Sequence, residues 1–472
     1  MASTDSTDST RSPSSVSRKD GWISISVSGN PHDRGFEYGF HCAEEFIKIK
    51  RMLDYNVYED TGNPWQYYVD VAHNDFEPKI MEQFPEFYEE MQGVAEGCVA
   101  NGCPTTTTEI LAWNIYFTLL DSWSPPPDEG GGGGGSERAS HSKEGGGGGG
   151  EGIGRNRTGA SDRCSAFMAV GDYTEDGQIV VAHNSFSNFI DGQYMRILLD
   201  LTPEPPGHRM VMQTCACWIW SGTDFFVTSQ GIIGTETTIG GFFPYVNKIP
   251  ITFRIRNAMQ YGKDLDDYVT KLLDGNSGDY ANSWLFGDIN TGEIMRIELG
   301  LEYHNVEKTT NGYFIGFNAA YDPRIRHKEC NDDGFYDIRR HQGARRVRLG
   351  DLMETHKGKL NTTLAKTIIA DHYDVYLRKL NKCSRTVCGH YELDSRKFMS
   401  DPGRPKPFQP RGALDGCVCD SKMAKEMTFY GRYGSSCGTP FNAAAFCKTH
   451  PQWANQLPYL EDRPSYPWTV LG

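Results

Sequence analysis

The chain has 472 residues and a formal net charge of −14, and its 24 Phe, 24 Tyr and 9 Trp supply enough core-forming material for one large domain or two to three ordinary ones. The acidic balance argues against a general nucleic-acid binder, because neutralising phosphates needs a surplus of clustered Lys/Arg. No run reaches the roughly 18 to 20 apolar residues of a membrane span.

In chain order, "MASTDSTDSTRSPSSVSRKD" reads as a disordered polar tail over 1–20. It lacks the apolar core of a secretory signal, so the expected location is the cytoplasm. "WISISVS" alternates as a half-buried strand, and "DRGFEYGFHCAEEFIKIKRML" carries apolar residues at helical spacing. Two further helical stretches, "DFEPKIMEQFPEFYEEMQGVAEGC" and "TTTEILAWNIYFTLL", complete a mostly helical fragment over 21–123 that ends at "SWSPPP". Residues 124–163 form a Gly/Ser-rich linker with no apolar periodicity, expected to be protease-accessible and excisable.

At Cys164 the pattern turns to strands: "CSAFMAV", "QIVVAHN", "YMRILLDL", "RMVMQTCACW", "FFVTS" and "GIIGTE". Helical spacing returns at "PITFRIRNAMQYGKDLDDYVTKLL". A hairpin, "SWLFGDINTGEIMRIEL", turns at Asn290, followed by "GYFIGFN" and then helices around 343–380. Strands in one block with helices before and after predict an α+β fold of two sheets sandwiched between helices, with 164–472 packed onto 21–123 as one domain. The 13 cysteines include no C-x-x-C pair, and their odd number leaves at least one unpaired in any compartment. The sequons at Asn156 and Asn361 match at a frequency near chance.

Cys164 stands where the linker meets a strand, flanked by Asp162-Arg163 and Ser165-Ala166. A cut of the Arg163–Cys164 bond would expose a thiol and a new α-amine on one residue. With a reference pKa of about 7.7 to 8.0, that amine is a base suited to deprotonating its own thiol. A buried structural cysteine is the plain alternative.

The ordered segments "DRCSAFMAV", "GQIVVAHNSFSNFIDGQYMRILLDL", "GIIGTETTIGG" and "GNSGDYANSW", with the C-terminal "GALDGCVCDSKMA" and "SSCGTPF", resemble the phospholipase B-like family of N-terminal-nucleophile hydrolases. "SWLFGDINTGEIMRIE", "GFNAAYDPR" and "ARRVRLGDLM" are as similar to the related penicillin acyltransferase-like and choloylglycine hydrolase families. The resemblance covers about residues 21–472 apart from the linker. It implies an αββα four-layer sandwich and an autoproteolytically activated cysteine hydrolase of fatty-acyl esters or amides, needing no cofactor or metal. It also implies two self-derived fragments that stay associated, a lipid or N-acyl small-molecule substrate, and a lysosomal or secreted location as the alternative to the cytoplasm. An acyltransferase or amidase on N-acyl amino compounds, and a processed lipid binder without turnover, are the rival functions.

By the same resemblance Cys164 is the nucleophile, His183 orients its amine or thiol, and Asn318 donates to the oxyanion. Asn282 is a second catalytic candidate, and Asn184, Thr237, Thr238 and Arg345 would order the site or contact substrate. A turn role for Asn282 and an exposed basic helix face for Arg345 are the structural alternatives. Choloylglycine-type enzymes carry an arginine and an aspartate where this chain has Val180 and His183, which favours the phospholipase B-like branch. Two rival sites are weaker. "GSSCG" matches a serine nucleophile elbow at Ser436, but His450 precedes Asp462, the wrong order for that machinery. A zinc site drawn from Cys383, Cys388, His390, Cys417 and Cys419 fits no standard finger spacing.

Overall fold

The computed structural model describes residues 14–123, 164–331, 334–394 and 408–472. Within these the chain is mixed α/β, built around two large sheets. Its strands are β1 (Ser15–Lys19), β2 (Trp22–Gly29), β3 (Cys164–Val170), β4 (Val180–Asn188), β5 (Ile197–Pro203), β6 (Met210–Thr214), β7 (Phe225–Thr228), β8 (Ile232–Thr238) and β9 (Asn282–Asp288). There follow β10 (Glu293–Leu299), β11 (His304–Thr309), β12 (Gly312–Gly316), β13 (Tyr373–Asp374), β14 (Lys379–Leu380), β15 (Arg411–Ala413), β16 (Asp415–Asp420), β17 (Phe429–Tyr433) and β18 (Thr469–Leu471).

The first sheet runs β1-β2-β5-β6-β7-β8-β9-β10-β11 and the second β12-β3-β4-β16-β17-β18, with β15 also on β4. All neighbours are antiparallel except β2 and β5, which join the N-terminal segment to the chain beyond the linker. Two expectations change. Residues 15–19, expected as tail, form the edge strand β1 on β2. The stretch 373–380, expected as helix, is the small β13–β14 hairpin, because Asp374 caps a turn by accepting from the amides of Tyr376 and Leu377.

Three cores follow from strand alternation. Ala166, Met168 and Val181 of the second sheet share one cluster with Val211, Phe225, Ile233 and Leu285 of the first. The other residues of the first sheet, such as Ile25, Leu199, Phe226 and Trp284, cluster with Phe46, Leu53, Val94 and Phe253 of the helices. On the far side of the second sheet, Phe167, Ala182 and Ile315 pack with Leu349, Met353 and Ile368.

The N-terminal helices are held by more than apolar contact. Helix Pro31–Thr61 starts at Asn30, whose side chain caps the amide of Asp33, and ends at left-handed Gly62. It lies backbone-to-backbone on helix Pro85–Ala100, where a Cβ at Gly39 would meet the Val94 carbonyl at 2.0 Å. Two buried networks then join these helices to the later chain. Arg34 and Arg256 share the Glu90 carboxylate. Asp279 accepts from Thr118, Ser277, the amide of Ile251 and Arg254.

Candidate active site

Alternation along β3 decides what Cys164 faces. Ala166 and Met168 lie in the cluster between the sheets, so Cys164, two residues earlier, has its side chain on that face as well. Register pairs Ala166 with His183 and Cys164 with Ser185, which places His183 on the same face and Asn184 on the opposite one. Cys164 and His183 are both fully buried.

Asp224 completes this group. The Cys164 thiol points at its Oδ2 over 3.8 Å, and the ligand atoms of Cys164, His183 and Asp224 all lie within 4.8 Å of one another. Tyr280 links two carboxylates, its hydroxyl being 3.2 Å from Asp224 Oδ2 and 2.9 Å from Glu236 Oε1. The loop carrying Asp224 is positioned by the N-terminal segment. Tyr38 donates to the Cys215 carbonyl, Trp113 to that of Ala216, and Asn114 brackets the loop through the Cys217 carbonyl and the Ile219 amide.

The backbone of Cys164 is held equally closely. Its nitrogen donates to Asn318 Oδ1 at 3.3 Å, while Asn318 Nδ2 donates to the Thr238 carbonyl at 2.7 Å. Arg345 joins the two ends: Nη2 donates to Asn318 Oδ1 at 2.7 Å, and Nη1 to Ser165 Oγ at 3.1 Å and to the carbonyl of Cys164. The two donors converging on Asn318 Oδ1 fix which way its amide points. One of its two N–H bonds is therefore committed to Thr238, which leaves the other for the oxyanion role expected from the sequence. Arg345 is fully buried, so it is not part of an exposed basic face.

Asp224, Tyr280 and Asn318 have left-handed backbones, with φ of 69°, 47° and 67°. For a residue as bulky as tyrosine this conformation is costly, and such strain concentrates where geometry serves function. His183 is perturbed differently. Burial pushes its pKa down to about 3, and the Glu236 backbone offsets only part of that cost. The imidazole is therefore neutral at pH 7 and a weak proton acceptor.

The remaining sequence candidates divide. Thr238 and Asn282 are register partners across β8 and β9, and the Thr238 carbonyl accepts from Asn318. The hydroxyls of Thr237 and Thr238 and both polar atoms of Asn282 are buried with no hydrogen-bond partner among the described residues. Asn184, in contrast, is structural. Its Oδ1 accepts from the Ser165 amide, and its Nδ2 faces the Ile369 and Val387 carbonyls and Ser436 Oγ. Arg163 lies outside the described residues. Ser436 is buried and spends its hydroxyl on the Ile369 carbonyl and Asn184, so it is no exposed elbow. The five-residue zinc set does not assemble either. Cys417 donates to Gln213 and Cys383 to Asp374, whereas His372, Cys388, His390 and Cys437 do converge.

The sequence reading missed Asp224, Tyr280 and Glu236. Only a weak signal marks them, a charged residue inside the apolar run "TDFFV" and an acid and a tyrosine within segments quoted for other residues.

No family model matches the chain, and no curated protein does. Among solved structures it is similar to a crystal structure of a variant of conjugated bile acid hydrolase from Clostridium perfringens, at 10% identity and a TM-score of 0.24, covering 58% of this chain and 83% of that one. A likeness at that score leaves this chain's own residues as the ground for its function. No helix among the described residues is long and apolar enough to cross a membrane.

Proposed function

We propose that the protein is a cysteine N-terminal-nucleophile hydrolase of acyl bonds, with Cys164 as nucleophile and a four-layer αββα architecture. The observation that carries the reading is the setting of Cys164. It is the first residue of an inner strand after a glycine-rich stretch, with its thiol on Asp224, its nitrogen on Asn318 and its carbonyl on Arg345. The three cores, two of them between a sheet and helices and one between the sheets, support the layered architecture.

In the uncut chain the Cys164 thiol adds to the carbonyl of Arg163, the amide nitrogen leaves as the α-amine, and water hydrolyses the thioester. The new α-amine then stays on Asn318 Oδ1, which orients it toward the thiol of the same residue. In turnover the amine takes the thiol proton, the thiolate adds to an ester or amide carbonyl, and the uncommitted N–H of Asn318 faces the oxyanion. The protonated amine gives its proton to the leaving alcohol or amine. Water, deprotonated by the same amine, releases the acid and restores the thiol. Arg345 acts through Asn318 and the Cys164 carbonyl as a positioning residue, and Asp224 aligns the thiol.

The side chains packed on the Tyr280 ring are apolar, which favours an apolar acyl group. Phe117 stacks on Tyr280 at 5.0 Å between ring centroids, with Trp218 and Trp220 beside them. Fatty-acyl esters or amides, as in a phospholipase B-like activity, are the substrates first to be tried. Intact-mass spectrometry of wild type beside Cys164→Ala, with N-terminal sequencing, tests the reading. A fragment beginning Cys-Ser-Ala-Phe in the wild type only, able to form a thioester with an acyl probe, is the expected result. An uncut wild type that forms no thioester overturns it.

A further inference from the structure

Far along the chain from the proposed nucleophile, four side chains from three separate segments converge. His372 follows helix Thr362–Ile369, Cys388 and His390 lie in the next loop, and Cys437 lies in the turn after β17. One ligand atom from each lies within 4.8 Å of all the others. The Cys388 and Cys437 sulfurs are each 3.4 Å from His390 Nε2. With metal–sulfur and metal–nitrogen bonds of about 2.3 and 2.05 Å at a tetrahedral angle, a zinc ion would hold sulfur and nitrogen about 3.5 Å apart. The spacing is that of an S2N2 set around a small cation.

Two further features match. His390 turns its other nitrogen, Nδ1, to Glu392 Oε1 at 2.7 Å, the carboxylate–imidazole pairing that fixes the tautomer of a metal-bound histidine. Among the described residues, His372 Nε2 is a buried atom without a hydrogen-bond partner. Two thiols and two imidazoles are a donor set that selects zinc among the common divalent ions, and four protein ligands leave no open position for catalysis.

We propose that His372, Cys388, His390 and Cys437 form a structural zinc site that buttresses the Cys164 strand. The link is Asn184. Its amide reaches the Ile369 carbonyl, the Val387 carbonyl and Ser436 Oγ, and its oxygen holds the Ser165 amide. Each of the first three partners lies within three residues of a ligand. Clamping His372, Cys388 and Cys437 on one ion therefore fixes the groups that hold Asn184 and, through it, the start of β3.

The test is elemental analysis of full-length protein purified without chelator or immobilised-metal resin, with Cys164→Ala carried alongside so that zinc content is read independently of processing. One zinc per chain is expected in wild type and in Cys164→Ala, retained in Cys383→Ser and lost in Cys388→Ser and Cys437→Ser. Glu392→Gln should weaken zinc at least about 10-fold. Because the cysteine variants can misfold, cobalt is also exchanged into the wild type, where thiolate-to-cobalt charge transfer with tetrahedral d–d bands is expected. A wild type that holds no zinc and gives no such spectrum overturns the proposal, as does a wild-type mass two hydrogens lighter that maps to a Cys388–Cys437 disulfide.

Discussion

Two buried polar regions lie on the two sides of Tyr280, and they are built on opposite terms. Around Asp279 the buried charges are matched. Arg254 donates to the Ile249 and Leu272 carbonyls and to Asp279, which also accepts from Thr118, Ser277 and the Ile251 amide. Along β8 and β9, by contrast, where the Thr238 carbonyl meets Asn318, Thr237, Thr238 and Asn282 keep buried side-chain polar atoms with no partner among the described residues. Satisfied buried groups are what folding alone produces, and unsatisfied ones cost about 1 to 3 kcal/mol each. The difference teaches that the "NSGDY" segment serves assembly on its Asp279 side, while the unmatched groups of β8 and β9 add nothing to stability and are where the proposed function would draw its polar contacts.

The largest effect should come from the proposed nucleophile. Cys164→Ala is expected to leave the chain uncut and to lower kcat by about 10⁴-fold or more, read by hydrolysis of a chromogenic acyl ester. Its melting temperature should change far less than its rate, since the contact from the thiol to Asp224 is a long one. Unchanged turnover would move the chemistry off this residue.

Arg345→Ala should come next, at about 10²- to 10³-fold in kcat, because the loss of Nη1 and Nη2 frees both the Cys164 carbonyl and the Asn318 amide. Lysine cannot span the two acceptors with a rigid fork, so Arg345→Lys should recover little of the rate. Equal rates for Arg345→Lys and wild type would show that only charge matters there.

The Asp279 side should break in the other currency. Asp279→Ala leaves Arg254 charged, buried and unpaired, for an expected loss of about 3 to 5 kcal/mol in urea unfolding. The folded fraction should keep the wild-type kcat. A variant that stays stable but loses its rate would erase the distinction between the two regions.

How far the sequence reveals this division depends on distance along the chain. Cys164 is legible because a glycine-rich stretch gives way to a strand at that residue, and period-2 alternation then assigns the faces of β3 and β4. That same alternation separates His183 from Asn184, although the two are sequence neighbours and were both candidates. Asp224 and Tyr280 reach the site through left-handed turns, which local pattern does not reveal for residues other than glycine. The polar run before "WISISVS" hides β1 because an edge strand needs no apolar face to pair. The His372, Cys388, His390 and Cys437 group draws on three segments whose approach is set by the sheet, so no spacing rule points to it.

His183 gives the smallest effect and the sharpest discrimination. Its folded pKa of about 3 lies below the unfolded value near 6.5, so between those limits the unfolded chain binds a proton that the folded chain refuses. Stability must therefore fall as pH drops through this window, by up to about 1.4 kcal/mol per pH unit from this one group. Asp415 and Asp60, each raised to about 6 with burial as the main cause, act with the opposite sign, losing stability as pH rises. They are common to wild type and His183→Gln, so they cancel in the difference between the two. The wild-type curve should steepen relative to His183→Gln from about pH 6 downward, measured by urea unfolding at each pH. Parallel curves would mean that the imidazole reaches water or a carboxylate. If His183→Gln also keeps kcat within about 10-fold at pH 7, the base is not this imidazole, since removing a general base costs about 10²- to 10⁴-fold. That outcome favours the proposed α-amine of a processed Cys164 as the proton acceptor.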